Sequence, residues 1–155
     1  MLANHRKIFI ILEKNGTEVE KVRLQVNQAQ CMGCRICEMV CGADSTSFNP
    51  ARAKIRIKEP LYEHPSVFVC YQCDSPECVE ACPTEALYRT ETMVAFDREK
   101  CISCFACSES CPYDAIFMYD DFPLKCDLCG GDPLCVTYCP KGVFKLVEGF
   151  YSGGD

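Results

Sequence analysis

Cysteine is the residue type in this sequence whose chemistry and spacing suit metal binding. Sixteen of the 155 residues are cysteine, and they fall into four groups of four. The first group, CMGCRICEMVC, and the third, CISCFACSESC, share the spacing C-x2-C-x2-C-x3-C. The second, CYQCDSPECVEAC, and the fourth, CDLCGGDPLCVTYC, lengthen the middle gap to four and five residues. Groups two, three and four end in Cys-Pro, and no cysteine is left over.

This spacing is typical of cysteines that bind cubane iron-sulfur clusters. Three thiolates on a turning loop can wrap three corners of a 4Fe-4S cube. The fourth lies about one helical turn further on and points away from that cube, so it serves the cube of another group. The proline after it ends the turn. Sixteen thiolates would then hold four 4Fe-4S clusters.

Two other uses of cysteine compete with this interpretation. A short, cysteine-rich chain is often a secreted scaffold held by disulfides. The N-terminal apolar run of residues 8–12, however, is closed by Glu13 and Lys14 and has no small-residue cleavage site after it. We therefore expect a cytoplasmic protein with reduced thiols, in which patterned cysteines more often bind metal. Zinc also binds four thiolates, usually from two C-x2-C pairs. A zinc site would therefore not need the third and fourth cysteines of each group.

The net charge and the lengths of the apolar runs limit the kinds of partner that the chain can bind. The formal net charge is -6, which disfavours nucleic acid and anionic membranes as partners. No stretch approaches the run of about 18 apolar residues that a spanning helix needs, so we expect no direct membrane insertion. For His5 and His64 we expect surface roles, because the clusters already have all their ligands.

The segments between the cysteine groups predict short strands. Between groups two and three the sequence reads as a strand over 86–89, a turn over 90–92 and a strand over 93–97. A hairpin in this place is the layout of a two-cluster ferredoxin, so groups two and three form one module. By elimination, groups one and four exchange their last cysteines, which brings the ends of the chain together. Alternating Ile55 and Ile57 predict a further strand, and KGVFKLVEG another.

These elements predict an α+β fold with short strands and helices around the clusters. We expect two ferredoxin-like modules related by a pseudo-two-fold. The outer module comprises residues 1–66 and 120–155, with groups one and four, and the inner module comprises residues 67–119, with groups two and three. The first group ends in Cys41-Gly42 rather than Cys-Pro, so we expect glycine to end that helix.

The four-group pattern, with CYQCDSPECVEACPTEAL in second place and KCDLCGGDPLCVTYCP in fourth, resembles a known family. It is similar to the four-cluster ferredoxin-like subunits of molybdenum and tungsten oxidoreductases, over about residues 24–148. Many members insert a long segment in the fourth group, whereas the gap here is only GGDPL. This compact form, with SFNPARAKIRI after the first group, most resembles the small subunit of tungsten enzymes of the aldehyde:ferredoxin oxidoreductase type.

The resemblance implies a function. The chain would be a non-catalytic electron-transfer subunit that relays single electrons through four 4Fe-4S clusters. The relay would join a large tungsten- or molybdenum-pterin catalytic subunit to an acceptor, which is a ferredoxin or a flavin or NAD subunit. The alternatives are a free polyferredoxin carrier and a subunit of a formate dehydrogenase, hydrogenase or DMSO reductase-type complex, and end-to-end self-association stays open.

The resemblance also implies four ligand sets, which agree with the hairpin argument. Each set joins three cysteines of one group to the last cysteine of another. The sets are Cys31, Cys34, Cys37 with Cys139; Cys126, Cys129, Cys135 with Cys41; Cys70, Cys73, Cys78 with Cys111; and Cys101, Cys104, Cys107 with Cys82.

Side chains near the cysteines are expected to tune the clusters. We expect a dry apolar shell, which sets reduction potential, made of Ile36, Met39, Val79, Ile102, Phe105, Ile116 and Val136. Arg35 and Lys125 place positive charge beside the groups, and Asp74 and Asp127 place negative charge there. Because positive charge favours the reduced cluster, we predict different potentials along the relay. The segments KIFIILEK and GFYSGGD either pack on another subunit or cap the fold.

Overall fold

A computed structural model describes residues 21–59 and 64–153, which form short elements joined by loops and turns. The four α-helices in these ranges are α1 Ile36–Cys41, α2 Glu77–Glu80, α3 Ala106–Glu109 and α4 Leu134–Tyr138. The eight strands are β1 Val22–Val26, β2 Ile55–Lys58, β3 Ser66–Val69, β4 Leu87–Arg89, β5 Val94–Phe96, β6 Phe117–Tyr119, β7 Phe122–Leu124 and β8 Phe144–Glu148. None of the helices described is long and apolar enough to cross a membrane. KIFIILEK and His5 lie outside the described residues.

The strands pair into four two-stranded antiparallel sheets in the described part of the chain. β1 pairs with β8, with Val22 opposite Glu148 and Val26 opposite Phe144, so the first and last strands described meet. The other pairs are β2 with β3, β4 with β5 and β6 with β7. A two-stranded sheet is only marginally stable by itself, so each pair depends on what it packs against.

The predicted hairpin between groups two and three is confirmed. Leu87 of β4 lies opposite Phe96 of β5, and Arg89 lies opposite Val94. Thr90 holds the turn, because its hydroxyl donates to the Met93 carbonyl over 2.8 Å and accepts the Met93 N–H over 3.0 Å. The strands predicted after groups one and four are present as β2 and β8.

A second hairpin, β6–β7, is absent from the sequence-based predictions. Its turn residues, Asp120 and Asp121, both have positive φ, at 49° and 63°. Two such residues in a two-residue loop are characteristic of a type I′ turn, whose twist matches that of the strands. Aspartate tolerates this conformation better than most residues. The Asp-Asp pair between aromatic residues is therefore the signal that could have indicated this hairpin.

Packing between helices brings the cysteine groups together in pairs. α1 packs against α4, and α2 packs against α3, so group one adjoins group four and group two adjoins group three. The larger hydrophobic core contains Leu24, Ile55 and Phe144. A smaller one contains Leu87 and Val94. The pseudo-two-fold and the division of the chain into two modules stay predictions.

The helix of the first group ends at Cys41 with Gly42 as its cap, but the reason differs from the one expected. Gly42 has a φ of -87°, a right-handed conformation that any residue adopts. A Cβ atom on Gly42 would lie 2.3 Å from the carbonyl oxygen of Asn49. Glycine is needed here because the chain returns closely against the end of α1, where the Asn49 N–H donates to the Gly42 carbonyl over 3.1 Å.

Candidate metal centres

All sixteen cysteines are free thiols in the structure, so the disulfide alternative finds no support in it. Their exposure follows their place in the group. The third cysteine is buried in groups one, three and four, and the second is exposed in the same three groups. These groups therefore each present one thiol at the surface and another inside.

The loops that carry the cysteines share one backbone feature. The residue before the second cysteine has a positive φ in every group, at Gly33 (71°), Gln72 (54°), Ser103 (56°) and Leu128 (53°). Only the first group uses glycine there, and a left-handed residue with a side chain costs roughly 1–2 kcal/mol. The same unfavourable conformation in all four loops indicates that each loop is shaped to curve around a bound group.

Three cavities are each lined by four cysteines, three from one group and the last from another. The first is lined by Cys70, Cys73, Cys78 and Cys111. The second is lined by Cys82, Cys101, Cys104 and Cys107. The third is lined by Cys31, Cys34, Cys37 and Cys139. In each cavity the fourth cysteine comes from a different group than the other three, and the helices of these two groups pack against each other.

The remaining four cysteines are Cys41, Cys126, Cys129 and Cys135. Cys41 ends α1 and Cys135 lies on α4, which packs against α1, and Cys129 interacts electrostatically with both cysteines. Burial, and then the charges of Cys129 and Cys41, raise the pKa of Cys135 to about 12. Lys54 links Cys41 to Cys126: burial lowers the pKa of Lys54, but Asp127 and these two cysteines raise it overall. The main-chain N–H of Lys54 also donates to Cys41 Sγ over 3.1 Å.

The arrangement of these thiols fits a group larger than one ion. Zinc needs its four ligands around a single ion. Within residues 21–59 and 64–153, no three His, Cys, Asp or Glu side chains converge closely enough to hold one metal ion. The cysteines line the walls of cavities instead, as the corner ligands of a cube must.

The electrostatics of the thiols also fit a cationic cluster. Burial raises the pKa of Cys37 and of Cys78 to about 12. A bound metal deprotonates a coordinating thiol outright. Positive charge in these cavities would therefore favour the thiolate form of the buried cysteines.

Backbone N–H groups point at several of the sulfurs. Val143 N–H donates to Cys139 Sγ, and Gln72 N–H to Cys70 Sγ, each over 3.4 Å. At Cys82 burial raises the pKa, but the N–H groups of Leu87 and Thr84 lower it overall. Donors of this kind stabilise a thiolate and raise the reduction potential of an iron-sulfur cluster.

The apolar shell expected around the cubes is only partly present. Ile116 is buried, and Val79 and Val136 pack against the two cores. In contrast, Met39 is exposed and does not fit the prediction. Ile102 and Phe105 are also exposed, so the shell that they form is not dry. Ile102 and Phe105 still line the Cys101 cavity, which means that they form its outer wall and face solvent on their other side. His64 is exposed.

Gln72 and Glu38 are buried polar residues that the sequence analysis does not single out. Gln72 is fully buried and joins groups two and four, since its Nε2 donates to the Cys126 carbonyl over 2.9 Å and its Oε1 accepts the Val94 N–H over 2.9 Å. Glu38 Oε1 accepts the Ile57 N–H over 2.7 Å and so ties α1 to β2. Neither residue carries a sequence signal, because both act on segments distant in the chain.

The C-terminal segment caps the cavity of Cys70, Cys73, Cys78 and Cys111. Tyr151, Ser152 and Gly153 line this cavity. The Tyr151 N–H donates to the Gln72 carbonyl over 3.1 Å, and its carbonyl accepts the Asp74 N–H over 2.8 Å. Its ring lies 5.0 Å from that of Tyr71 and 5.4 Å from that of Tyr113. Of the two roles expected for GFYSGGD, its described part therefore caps the fold.

Comparison with known proteins gives matches over most of the chain. The chain is 35% identical over 140 residues to the aliphatic sulfonate oxidoreductase polyferredoxin-like subunit of Pyrococcus furiosus, covering 85% of this chain and 81% of that protein. It is 28% identical to the thiosulfate reductase electron transfer subunit PhsB of Salmonella typhi, covering 77% of this chain and 72% of that protein. Among solved structures, a chain of the active site complex BamBC of benzoyl coenzyme A reductase with 1,5-dienoyl-CoA matches with a TM-score of 0.51, 25% identity and coverage of 89% and 82%.

A family model also matches the chain directly. The model described as the 4Fe-4S dicluster domain matches residues 65–149, which contain groups two, three and four. With the cysteine-lined cavities and the relatives above, this match identifies the protein as a member of the 4Fe-4S dicluster domain family.

Proposed function

We propose that the chain is an electron-transfer subunit that relays single electrons through four 4Fe-4S clusters. The relay runs between a tungsten- or molybdenum-pterin catalytic subunit, of the aldehyde oxidoreductase type, and an acceptor. The ligand sets we propose are those that the resemblance implies, with the last cysteine of each group given to the neighbouring cube. The observation that carries the proposal is the lining of three cavities by three cysteines of one group and the last cysteine of another.

The cubes would follow one another in a line. Packing of α2 on α3 joins the cube of Cys101 to that of Cys70, and packing of α1 on α4 joins the cube of Cys126 to that of Cys31. The middle contact would lie between Cys70 and Cys126, because Gln72 donates its main-chain N–H to Cys70 Sγ and its Nε2 to the Cys126 carbonyl. The cubes of Cys101 and Cys31 therefore lie at the two ends of the relay.

A catalytic role for this chain itself is disfavoured. Four thiolate ligands on each cube leave no open iron site for a substrate. All sixteen cysteines are used as ligands in the proposed sets, and the sequence contains only two histidines. The sequence offers no spare cysteine, and no histidine pair or glycine-rich phosphate loop for other chemistry. Catalysis would therefore belong to a partner.

Both ends of the relay present apolar side chains to solvent. Ile102 is 62% exposed and Phe105 41% exposed, and both line the Cys101 cavity. Met32 is 58% exposed and lines the Cys31 cavity. Exposed apolar residues next to an exposed ligand suit partner docking, and they support one electron-exchange surface at each end. The names of the relatives support a subunit rather than a free carrier.

Anaerobic co-purification tests the proposal. A tagged chain, washed at high salt, is expected to retain a large pterin-containing subunit with tungsten or molybdenum, and to contain about sixteen iron atoms per chain. A clean iron-loaded monomer would support the free polyferredoxin instead. A partner of the formate dehydrogenase, hydrogenase or DMSO reductase type would correct the choice of complex, and zinc in place of iron would overturn the proposal altogether.

Removal of the Tyr151 ring is expected to speed the loss of one cluster in air. Each ring pair contributes about 0.5–1.5 kcal/mol, so Tyr151→Ala should make local opening of the C-terminal cap about tenfold more frequent. Visible absorbance and EPR after exposure to air measure the loss, which should begin at the cube of Cys70. Tyr138→Ala is the matched control, because Tyr138 is 57% exposed. Equal rates for the two variants would contradict a protective cap.

A further inference from the structure

Lys125 is a buried cation with no acidic partner in the part of the chain that the structure describes. Its Nζ donates to the Val94 carbonyl over 2.8 Å, to the Cys126 carbonyl over 3.2 Å and to Gln72 Oε1 over 3.2 Å. The residue is only 6% exposed. All three partners are oxygen acceptors, and an ammonium group has three N–H donors to match them. The three oxygens therefore match the three donors of the ammonium group.

The other three charges expected to tune the clusters differ from Lys125, because each has an opposite charge beside it. Arg35 pairs with Glu38 at 3.3 Å, Asp74 with Arg89 at 2.8 Å, and Asp127 with Lys54 at 2.6 Å. A paired charge has a weak field at a distance, and an exposed one is screened by salt as well. Of the four, only Lys125 is buried without an opposite charge beside it in the described residues.

The position of Lys125 places this charge between two of the proposed clusters. Lys125 lines the cavity of Cys70, Cys73, Cys78 and Cys111. It also directly precedes Cys126, whose carbonyl it binds. Gln72 holds the ammonium in place, because its side chain bonds to Lys125, Val94 and Cys126 at once. The cation is thus fixed at the junction of groups two and four, in the middle of the relay.

We propose that Lys125 raises the reduction potential of the two central clusters, those of Cys70 and of Cys126, by stabilising their reduced state. This inference rests on the proposed function, since it requires both clusters. Uptake of one electron makes a cube one unit more negative, and a fixed cation in a low-dielectric site favours that change more strongly than a surface charge does. Electrons would then reside in the middle of the relay, away from its exposed ends.

Redox titration monitored by EPR tests the proposal, with Lys125→Met as the neutral variant. We expect the midpoints of the two central clusters to fall, with a change of about tenfold in the equilibrium constant, or ~59 mV for one electron. The two end clusters should keep their midpoints. Lys125→Gln is the second neutral variant, because its amide can still donate to some of the three oxygens. Lys125→Arg keeps the charge and should stay near the wild-type values.

Lys100→Met is the matched control. Lys100 directly precedes Cys101, as Lys125 precedes Cys126, but Lys100 is exposed, so its removal should leave every midpoint unchanged. Unchanged midpoints in Lys125→Met and Lys125→Gln would overturn the proposal, and so would an equal fall in all four clusters. Failure of both neutral variants to load clusters, with normal loading of Lys125→Arg, would also overturn it, because the charge would then serve assembly. Absence of four iron-sulfur signals from the wild-type protein would refute the proposed function itself.

Discussion

Replacement of Cys82 by alanine is expected to disturb the cube of Cys101, Cys104 and Cys107 and to leave the cube of its own group intact. Cys82 lies only four residues after Cys78 in the chain. It nevertheless lines the cavity that Cys101, Cys104 and Cys107 line. Loss of this ligand should remove one EPR signal from the reduced protein and lower its iron content by about a quarter. Iron analysis and EPR of the same sample measure both effects.

The assignment is tested by comparison with two further variants. Cys104→Ala should perturb the same cluster as Cys82→Ala, whereas Cys73→Ala should perturb a different one. Cys111→Ala is the reciprocal control, because Cys111 lines the cavity of Cys70, Cys73 and Cys78. If Cys82→Ala and Cys73→Ala perturb the same cluster while Cys104→Ala perturbs another, each group binds its own cube and the proposed ligand sets are wrong.

Expression of the chain without iron is expected to give an unfolded product. In the residues that the structure describes, the strands form four two-stranded sheets beside two separate cores, and isolated hairpins are marginal in water. Cysteines of the proposed ligand sets lie in both cores, namely Cys37, Cys70, Cys107, Cys126 and Cys135, so the binding free energy of the clusters would become folding free energy. Amide hydrogen exchange in β1 and β8 should therefore proceed at the rate of an unstructured chain when iron is withheld.

Reconstitution with iron and sulfide under reducing conditions provides the control. It should restore slow exchange in β1 and β8 together with the near-ultraviolet circular dichroism of the Tyr71, Tyr113 and Tyr151 rings, which pack against one another. An iron-free chain with native exchange protection in both strands would show that the protein core suffices without clusters, and would rule out the coupling.

The cysteine-bearing loops and the β4–β5 hairpin could be predicted from the sequence, because both depend on residues that are neighbours in the chain. Ligand loops have a characteristic spacing, and a hairpin is encoded by two short strands and the turn between them. The exposure of Ile102 and Phe105 could not be predicted in the same way. Ile102 and Phe105 each directly follow a cysteine, as Val136 does. Val136 nevertheless packs against the larger core, whereas Ile102 and Phe105 line the Cys101 cavity and face solvent.

A comparison of Lys100 with Lys125 shows what the sequence determines by itself and what only the tertiary structure determines. Lys100 and Lys125 each precede the first cysteine of a group, so the sequence by itself determines that both stand next to a proposed cluster ligand. Only the tertiary structure decides that Lys100 is exposed while Lys125 is buried against Gln72 and Val94. Gln72 lies 53 residues from Lys125 and Val94 lies 31 residues from it. Burial of a charge depends on such distant partners, whereas the spacing of ligands along one loop is a local property of the chain.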